Sequence, residues 1–474
     1  MRLDEVEETA VRFPRISTGD AQADEILGGG YPANSINIVM GQPGTGKTIF
    51  AERLLFHNAD GDRPLLYVTT LSEPMSKVVS YAQRLAFFDM EKIGRQIVYD
   101  DLGPQLAREG IEAMVPFVRD AIKRMAPAII VIDSFKAVHD LATSTQAMRR
   151  LIADFAGLLS ASDTTAFLIG EYTQSDSESH PEFAVADSIV QLERHTLGAR
   201  DERFFRVLKL RGSRYREGQH AFRITGNGLQ LFPRLITPDF TDYSPNVERV
   251  RTGVPGLDEI VGGGFWCGST TVLIGSTGTG KTTIALQFAL AGIAAGQETL
   301  FVNFQENPAQ MKRLMASLGA DVEDATAAGF HHLYVSPVEL QIDSVIVTIF
   351  EMIRSEGIQR VVIDAVGDLA NAASDPQRLH DYMYSLVQHF VVNNITSILN
   401  FESPIGLTSQ GRNERRFSYM ADNVLLLSPA DESARTMRVI KTRNSEHDRR
   451  THGIVIGEDG VTVQVNNVSG GSDR

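Results

Sequence analysis

The most constraining feature of this 474-residue chain is a segment that occurs twice. GQPGTGKT spans residues 41–48 and GSTGTGKT spans residues 275–282, which places their lysines, Lys47 and Lys281, 234 residues apart. The similarity extends upstream, because residues 16–48 align without gaps to residues 250–282 and share 15 of 33 positions. This period far exceeds the ~20–50 residues of solenoid repeats. The pattern therefore predicts the duplication of a whole domain.

Both segments fit the pattern G-x-x-x-x-G-K-[ST] and lie between a strand-like apolar run and a helix-like one. In such a loop the glycines let backbone N–H groups surround phosphate oxygens, the lysine adds a positive charge, and the hydroxyl reaches Mg²⁺. The N-terminus of the following helix adds a partial positive charge. We therefore predict that ATP and Mg²⁺ bind at Gly44, Thr45, Gly46, Lys47 and Thr48, and at Gly278, Thr279, Gly280, Lys281, Thr282 and Thr283.

ATP chemistry also needs a carboxylate at the end of a neighbouring buried strand, which holds the hydration shell of the Mg²⁺ ion. AIIVID at residues 128–133 and RVVID at residues 360–364 are apolar runs that end in aspartate. Asp133 with Thr48, and Asp364 with Thr282, are the predicted metal-binding pairs. The alternative, in which each aspartate caps the following turn, stays open.

The length of the chain favours two domains, because one hydrophobic core rarely supports this many residues. Three prolines in residues 233–249 interrupt the apolar periodicity, so we expect a first domain at 1–245 and a second at 246–464. The polar residues 465–474 are expected to form a flexible tail. We predict an α/β fold in which each domain is a mainly parallel sheet flanked by helices.

Charge and composition narrow the function classes. A net charge of −14 argues against a surface built mainly for nucleic acid. No run of 18 apolar residues and no apolar leader are present, which predicts a cytoplasmic protein without a membrane partner. The single cysteine, Cys267, excludes an intrachain disulfide and is expected to pack beside Trp266. His331 and His332 have no cysteine or carboxylate at ligand spacing, so we expect no zinc there.

Three features together resemble the KaiC family of RecA-like ATPases, known from circadian clocks. They are the tandem loops, the TG-x-x-x-x-DEI-x-GGG segment before each loop, and the segments KLRGS (209–213) and KTRNS (441–445). The resemblance covers nearly the whole chain and implies two RecA-like P-loop NTPase domains in a two-tiered homohexameric ring. It also implies that the KLRGS and KTRNS segments reach ATP across subunit interfaces. The residues so implied are Lys209, Arg211 and Ser213, and Lys441, Arg443 and Ser445, with Arg203 and Arg435 six positions before the lysines.

KaiC proteins typically carry two adjacent glutamates after the strand that follows the phosphate-loop helix, and one of these glutamates is the base for attack on the γ-phosphate. Here the pair falls on Leu71 and Ser72 in the first domain, with Glu73 displaced by one residue, and on Gln305 and Glu306 in the second. Leucine cannot accept a proton and glutamine is a far weaker base, so we expect slow turnover. The predicted catalytic residues are Glu306, Gln305, Lys281, Lys441 and Arg443. The alternative, in which Glu306 and Glu73 are solvated residues at a strand end, stays open.

Clock-type members also phosphorylate a serine and a threonine on the neighbouring subunit. By alignment this acceptor pair falls on Ser418 and Tyr419, downstream of Arg415 and Arg416. The resemblance thus implies a slow ATPase with serine/threonine autokinase activity on Ser418, which signals its state to an unidentified protein partner. The chain ends in NNVSGGSDR, so control through the long activator-docking tail of clock-type members is not expected. A nucleotide-binding scaffold with negligible turnover, and a DNA-dependent ATPase of the same fold, stay open as alternatives.

Overall fold

The computed structural model describes residues 14–197, 200–241, 243–338, 340–372, 376–402, 419–429 and 434–465. The chain forms two compact units, which divide between Arg234 and Leu235. Our boundary near residue 245 and the tail from residue 465 stay predictions. None of the described helices is long and apolar enough to cross a membrane.

The first unit alternates strands and helices along most of its length. Its strands are β1 (Arg15–Ile16), β2 (Tyr31–Pro32), β3 (Ile36–Gly41), β4 (Leu65–Thr69), β5 (Ile97–Asp101), β6 (Ile129–Asp133), β7 (Thr165–Gly170), β8 (Ser188–Leu197), β9 (Arg200–Leu210), β10 (Gln219–Thr225) and β11 (Gly228–Phe232). Its helices are α1 (Ala21–Ile26), α2 (Lys47–Asn58), α3 (Met75–Ala82), α4 (Gly103–Glu109), α5 (Met114–Met125), α6 (Phe135–Asp140), α7 (Thr145–Ser160), α8 (Gln174–Ser179) and α9 (Pro181–Val185).

The second unit follows the same plan. Its strands are β12 (Arg249–Val250), β13 (Phe265–Trp266), β14 (Thr270–Gly275), β15 (Thr299–Asn303), β16 (Phe330–Tyr334), β17 (Arg360–Asp364), β18 (Thr396–Glu402), β19 (Asn423–Pro429), β20 (Arg435–Thr442), β21 (Thr451–Gly457) and β22 (Gly460–Gln464). Its helices are α10 (Leu257–Ile260), α11 (Lys281–Ala294), α12 (Pro308–Ala316), α13 (Val322–Ala327), α14 (Ile342–Glu356), α15 (Val366–Ala372) and α16 (Pro376–Val392).

The main sheets of the two units have equivalent strand orders. The first runs β11-β10-β9-β8-β3-β7-β6-β4-β5 and the second runs β22-β21-β20-β19-β14-β18-β17-β15-β16. Six neighbouring strands are parallel in each sheet: β8-β3-β7-β6-β4-β5 in the first and β19-β14-β18-β17-β15-β16 in the second. The remaining three strands extend each sheet through antiparallel pairs. This arrangement confirms the predicted α/β fold with two tandem, mainly parallel sheets flanked by helices.

The apolar runs become strands that are buried on both faces. Along β3, Ile36, Ile38 and Met40 pack into one hydrophobic core, whereas Val39 packs into the core on the opposite face. Successive strand side chains point to opposite faces, so helices on both sides of the sheet explain the uninterrupted apolar pattern. The carboxyl ends of the parallel strands consequently meet along one edge, where polar residues follow the apolar runs.

Candidate nucleotide sites

The predicted phosphate loops connect a central strand to a helix in both units. β3 ends at Gly41 and α2 begins at Lys47, while β14 ends at Gly275 and α11 begins at Lys281. Each helix thus presents its first turn at the carboxyl edge of the sheet. Backbone N–H groups in such a turn have no partner within the helix, and they suit an anionic ligand.

Two glycines set the shape of these loops. Gly46 and Gly280 precede the helices with φ angles of 97° and 98°, a left-handed conformation that side chains disfavour. A Cβ atom on Gly46 would lie 3.2 Å from Ile224 Cδ1, and one on Gly280 would lie 3.0 Å from Ile456 Cδ1. The loop therefore requires glycine both for its dihedral angles and for its close contact with the antiparallel strands.

The loop lysines have matching environments. Lys47 Nζ donates to the carbonyl oxygens of Gly41 and Gln42 at 3.0 Å. Lys281 Nζ makes the equivalent bonds to the first two residues of its loop at 2.8 and 2.9 Å. Burial lowers the pKa of both lysines, and the carboxylates at neighbouring strand ends oppose that shift. Each lysine therefore lies within its own loop, beside the carboxyl edge where a phosphate group would bind.

The predicted metal-binding pair of the first unit is already linked. Thr48 Oγ1 donates to Asp133 Oδ2 at 2.8 Å, and the buried Tyr67 hydroxyl donates to the same oxygen at 2.7 Å. Burial raises the pKa of Asp133, whereas these two hydrogen bonds oppose the shift. One carboxylate oxygen thus carries two protein donors, and the tyrosine is a competitor that the sequence alone did not indicate.

The pair of the second unit leaves a carboxylate oxygen available. Asp364 Oδ2 is buried and has no hydrogen-bond partner among the residues that the structure describes. Burial raises the pKa of this carboxyl group, while the Thr282 hydroxyl opposes the shift. A buried carboxylate oxygen without a donor is costly unless a cation or its water molecules bind there. The residues of this site therefore fit a hydrated Mg²⁺ ion.

The strand ends that carry the predicted base differ most between the units. In the first, Leu71 is 47% exposed and the Ser72 hydroxyl lies 3.3 Å from that of Thr70. Glu73 instead forms an ion pair with Lys77 at 3.0 Å. Glu73 lines the same cavity as Lys47 and Asp133, and its carboxylate is paired with Lys77, whereas Leu71 and Ser72 offer no carboxylate.

The second unit presents a half-buried glutamate at the equivalent strand end. Asn303 Nδ2 donates to Glu306 Oε2 at 3.0 Å, and Gln305 Nε2 donates to Asp368 Oδ2 at 3.0 Å. Burial raises the pKa of Glu306, and the negative charge of Asp364 raises it further. A carboxylate with a raised pKa is a better proton acceptor, so Glu306 has the properties of a general base.

A further acidic residue follows the strand beside each phosphate loop. Glu171 comes directly after β7, and Glu402 is the last residue of β18. Glu171 is in the cavity of about 590 Å³ that also contains Lys47 and Asp133. Thr277 donates to Glu402 within the second site. Our sequence analysis missed both residues, although each ends an apolar run in the same manner as Asp133 and Asp364.

The basic segments pack against a different part of their own unit. Lys209 Nζ donates to the carbonyl oxygens of Phe183 and Ala184 at 3.3 and 3.4 Å, and Arg211 lies 3.4 Å from Asp187. In the second unit Arg443 lies 3.6 Å from Asp422, and Lys441 Nζ donates to the backbone at 2.6 Å. These contacts lie on α9 and on the residues that directly precede β8 and β19. A role at a neighbouring subunit's ATP therefore stays a prediction.

The remaining predicted site residues have separate positions. Arg435 Nε donates to the carbonyl oxygen of Gly278, so it contacts the phosphate loop of its own unit. Ser213 and Ser445 accept hydrogen bonds from Arg15 and Arg249, which are equivalent residues in the two units. Thr45 and Thr279 close their loops by donating to backbone carbonyls at 2.8 Å. The predicted acceptor Ser418 lies outside the described residues, and Tyr419 is 75% exposed.

Away from both loops, His139, His180 and Glu182 bring potential metal ligands within 4.8 Å of one another. The two imidazole rings stack with centroids 3.8 Å apart and 14° between their planes. A metal ion binds a ring nitrogen in the plane of that ring, so nearly parallel rings do not converge on one ion. His139 Nδ1 lies 3.0 Å from a carboxylate oxygen of the fully buried Glu182.

Comparisons with known proteins agree with this geometry. The family described as the KaiC ATPase matches residues 16–236 and again residues 250–468. The chain belongs to the KaiC family of ATPases. Proteins named "Circadian clock oscillator protein KaiC" are similar over nearly the full length. Those from Rippkaea orientalis and Thermostichus vulcanus are each 28% identical, covering 97% of this chain and 90% of those proteins. That from Picosynechococcus sp. is 28% identical over 93% and 88% of the two chains.

Membership of this family confirms the resemblance inferred from the sequence and implies a two-domain ATPase that binds ATP, usually with Mg²⁺. The relatives are 28% identical to this chain, so the properties of its own residues carry the proposal for its finer activity.

Proposed function

We propose that this chain is a ring-forming ATPase whose second domain slowly hydrolyses ATP and transfers phosphate to Ser418, while its first domain mainly binds ATP. The observation that carries the proposal is the position of Glu306 beside Asp364 at the carboxyl edge of the second sheet. The same edge holds Lys281 and Thr282 at the start of α11. One unit therefore contains the candidate residues for binding the nucleotide, for binding the metal and for acting as the base.

The chemistry follows from the role of each group. Lys281 and the N–H groups of its loop would hold the β- and γ-phosphates, and Thr282 and Asp364 would hold Mg²⁺ through a hydroxyl and a carboxylate. Bound Mg²⁺ neutralises charge that develops on the phosphate oxygens. Glu306 would accept a proton from the attacking water or from a serine hydroxyl. Gln305 cannot accept that proton at neutral pH, which supports slow turnover.

Assembly into a homohexamer would complete each site. Lys441 donates to the backbone of Ala421 and Arg443 to the backbone of Tyr419, and their segment repeats in step with the phosphate loop in both domains. A positive side chain from a neighbouring subunit would stabilise the transferring phosphoryl group. Changes in phosphate or nucleotide state would then alter a surface that a signalling protein recognises.

A second candidate is a nucleotide-binding scaffold with negligible turnover. The first unit favours it, since Leu71 and Ser72 replace the base and the Tyr67 hydroxyl donates to Asp133. If both sites of each subunit bound ATP without turnover, the ring would sense ATP without hydrolysing it.

A labelling experiment separates the two candidates. Purified protein is incubated with Mg-ATP labelled on the γ-phosphate, and label on the chain, located by mass spectrometry, is compared with free phosphate. We expect label on Ser418, its complete loss in Lys281→Ala, and a weaker ring with label retained in Lys47→Ala. Equal loss of label in both variants would contradict the division between domains, and absence of both label and free phosphate would establish the scaffold.

A further inference from the structure

Glu306 is held by a hydrogen-bonded chain of buried side chains behind it. Asn303 is the last residue of β15 and is fully buried, with Nδ2 3.0 Å from Glu306 Oε2. On its other side, Asn303 Oδ1 lies 3.0 Å from Nε2 of the half-buried His332 on β16. The hydrogen bonds therefore connect His332 to Asn303, and Asn303 to Glu306.

The donor and acceptor roles in this chain have one consistent direction. An ionised carboxylate only accepts hydrogen bonds, so the amide nitrogen of Asn303 must face Glu306 and its oxygen must face His332. His332 Nε2 must then carry a hydrogen and donate it. Burial lowers the pKa of His332, which favours a neutral ring, and the acceptor Asn303 Oδ1 selects the tautomer with its hydrogen on Nε2. Each member of the chain thus fixes the orientation of the next.

The backbone makes this chain rigid. Asn303 pairs with Asp364 on one neighbouring strand, and Phe301, two residues earlier, pairs with His332 on the other. Both residues that support Glu306 therefore lie in the sheet, while Glu306 itself follows the strand in a connecting segment. A side chain in such a segment loses orientational freedom when a residue of a rigid strand holds it.

The first unit provides an internal comparison. Strand pairing makes Thr69 the counterpart of Asn303 and Tyr99 the counterpart of His332. Tyr99 donates to Glu52 on α2 at 2.7 Å, away from the strand end. Ser72 occupies the position of Glu306. The supporting chain is thus present in the unit that has the acid and is replaced in the unit that lacks it.

We propose that Asn303 and His332 are positioning residues that hold Glu306 in the orientation required for ATP hydrolysis. The inference rests on the proposed role of Glu306 as the base. Asn303 is fully buried behind Glu306 and His332 bonds to Asn303, so both residues act through the Glu306 carboxylate. Their loss should lower the rate of the chemical step and leave the binding of Mg-ATP unchanged.

The test is steady-state and single-turnover ATP hydrolysis by the full-length protein. We expect His332→Ala to lower kcat roughly tenfold with KM for Mg-ATP within about twofold, because a loosened base loses part of its catalytic contribution. His332→Gln keeps an N–H donor and should recover part of the rate. The matched control is His331→Ala, since His331 is the preceding residue on β16 and lies 2.8 Å from Glu298 instead.

A double substitution gives the decisive readout. In a Glu306→Gln background, His332→Ala should cause no further loss, because its effect passes through the glutamate. A similar tenfold loss in that background, or wild-type kcat in His332→Ala alone, would overturn the positioning role. If Glu306→Gln itself turns over at the wild-type rate, the proposed base is wrong, and that result is distinct from a failure of His332. Asn303→Thr, which copies the first unit, should reproduce the kcat loss of His332→Ala.

Discussion

The two candidate nucleotide sites have the same backbone arrangement and differ in the side chains around the aspartate of each site. In the first, Tyr67 donates to Asp133 and Tyr99 donates to the buried Glu52. At the positions equivalent to Tyr67, Tyr99 and Glu52, the second site has Phe301, His332 and Leu286. Phe301 therefore offers no hydroxyl to Asp364, and His332 is available to support Glu306.

Under the proposed function, this difference lets a duplicated site retain nucleotide binding while its chemistry changes. The loop, the lysine and the aspartate have the same positions in both units, and they suffice for phosphate and metal. Hydrolysis additionally depends on an available carboxylate oxygen for the metal shell and on an oriented base. Both properties depend on residues three or four strands along the sheet from the strand that precedes the phosphate loop.

The largest effect should come from replacing a predicted metal-binding carboxylate by an amide. We expect Asp364→Asn to lower ATP turnover on the order of a hundredfold, since the Mg²⁺ shell loses a charged ligand at the hydrolysing site. Asp133→Asn should change total turnover less than about threefold. Phosphate release under saturating Mg-ATP measures both. A larger loss in Asp133→Asn would reverse the comparison between the sites.

The buried Glu52 should give the first unit a pH-dependent contribution to stability that Leu286, at the equivalent position of the second unit, does not give. Burial raises the pKa of Glu52 to about 8, so the folded carboxyl group stays protonated where the unfolded one ionises. Stability contributed by this group is therefore full below the ordinary pKa and falls as the pH rises towards 8. Between pH 6 and pH 7.5 the loss should be about 2 kcal/mol.

Hydrogen exchange of α2 measures this loss as a change in the free energy of opening. Glu52→Gln keeps the acceptor for Tyr99 and should remove the pH dependence. The exposed Glu217 supplies a matched control, Glu217→Gln, which should leave the dependence intact. An unchanged pH profile in Glu52→Gln would show that Glu52 does not titrate in this range.

The smallest effect should come from Tyr67→Phe, which gives the first site the residue of the second. Loss of one hydrogen bond to Asp133, about 1 kcal/mol, should tighten binding of Mg-ATP to the first site roughly fivefold because a lone pair becomes available. The binding is measured in a Lys281→Ala background, where the second site is disabled. Tyr99→Phe removes a hydroxyl that does not contact Asp133 and should have no such effect. Weaker binding in Tyr67→Phe would mean that the tyrosine supports the metal site.

The sequence was sufficient to predict the elements that depend on local patterns. Apolar strands, glycine loops and terminal aspartates predicted the α/β fold, and the structure places Lys281, Thr282 and Asp364 along one edge. The roles of Tyr67 and His332 depend instead on register between strands that are distant in sequence. No local pattern shows that Tyr67 reaches Asp133, or that His332 lies behind Asn303. The strand-end pattern that predicted Asp133 and Asp364 would also have identified Glu171 and Glu402.

The most direct test of the account compares ATP turnover in Glu306→Gln with that in Ser72→Ala, which alters the equivalent position of the first domain. Both chains are assayed as full-length protein with saturating Mg-ATP, and phosphate release is compared with that of the parent chain. The account predicts that Glu306→Gln loses at least about a hundredfold, within the range of general-base catalysis, and that Ser72→Ala stays near the parent rate. Parent-like turnover in Glu306→Gln would contradict the assignment of hydrolysis to the second domain.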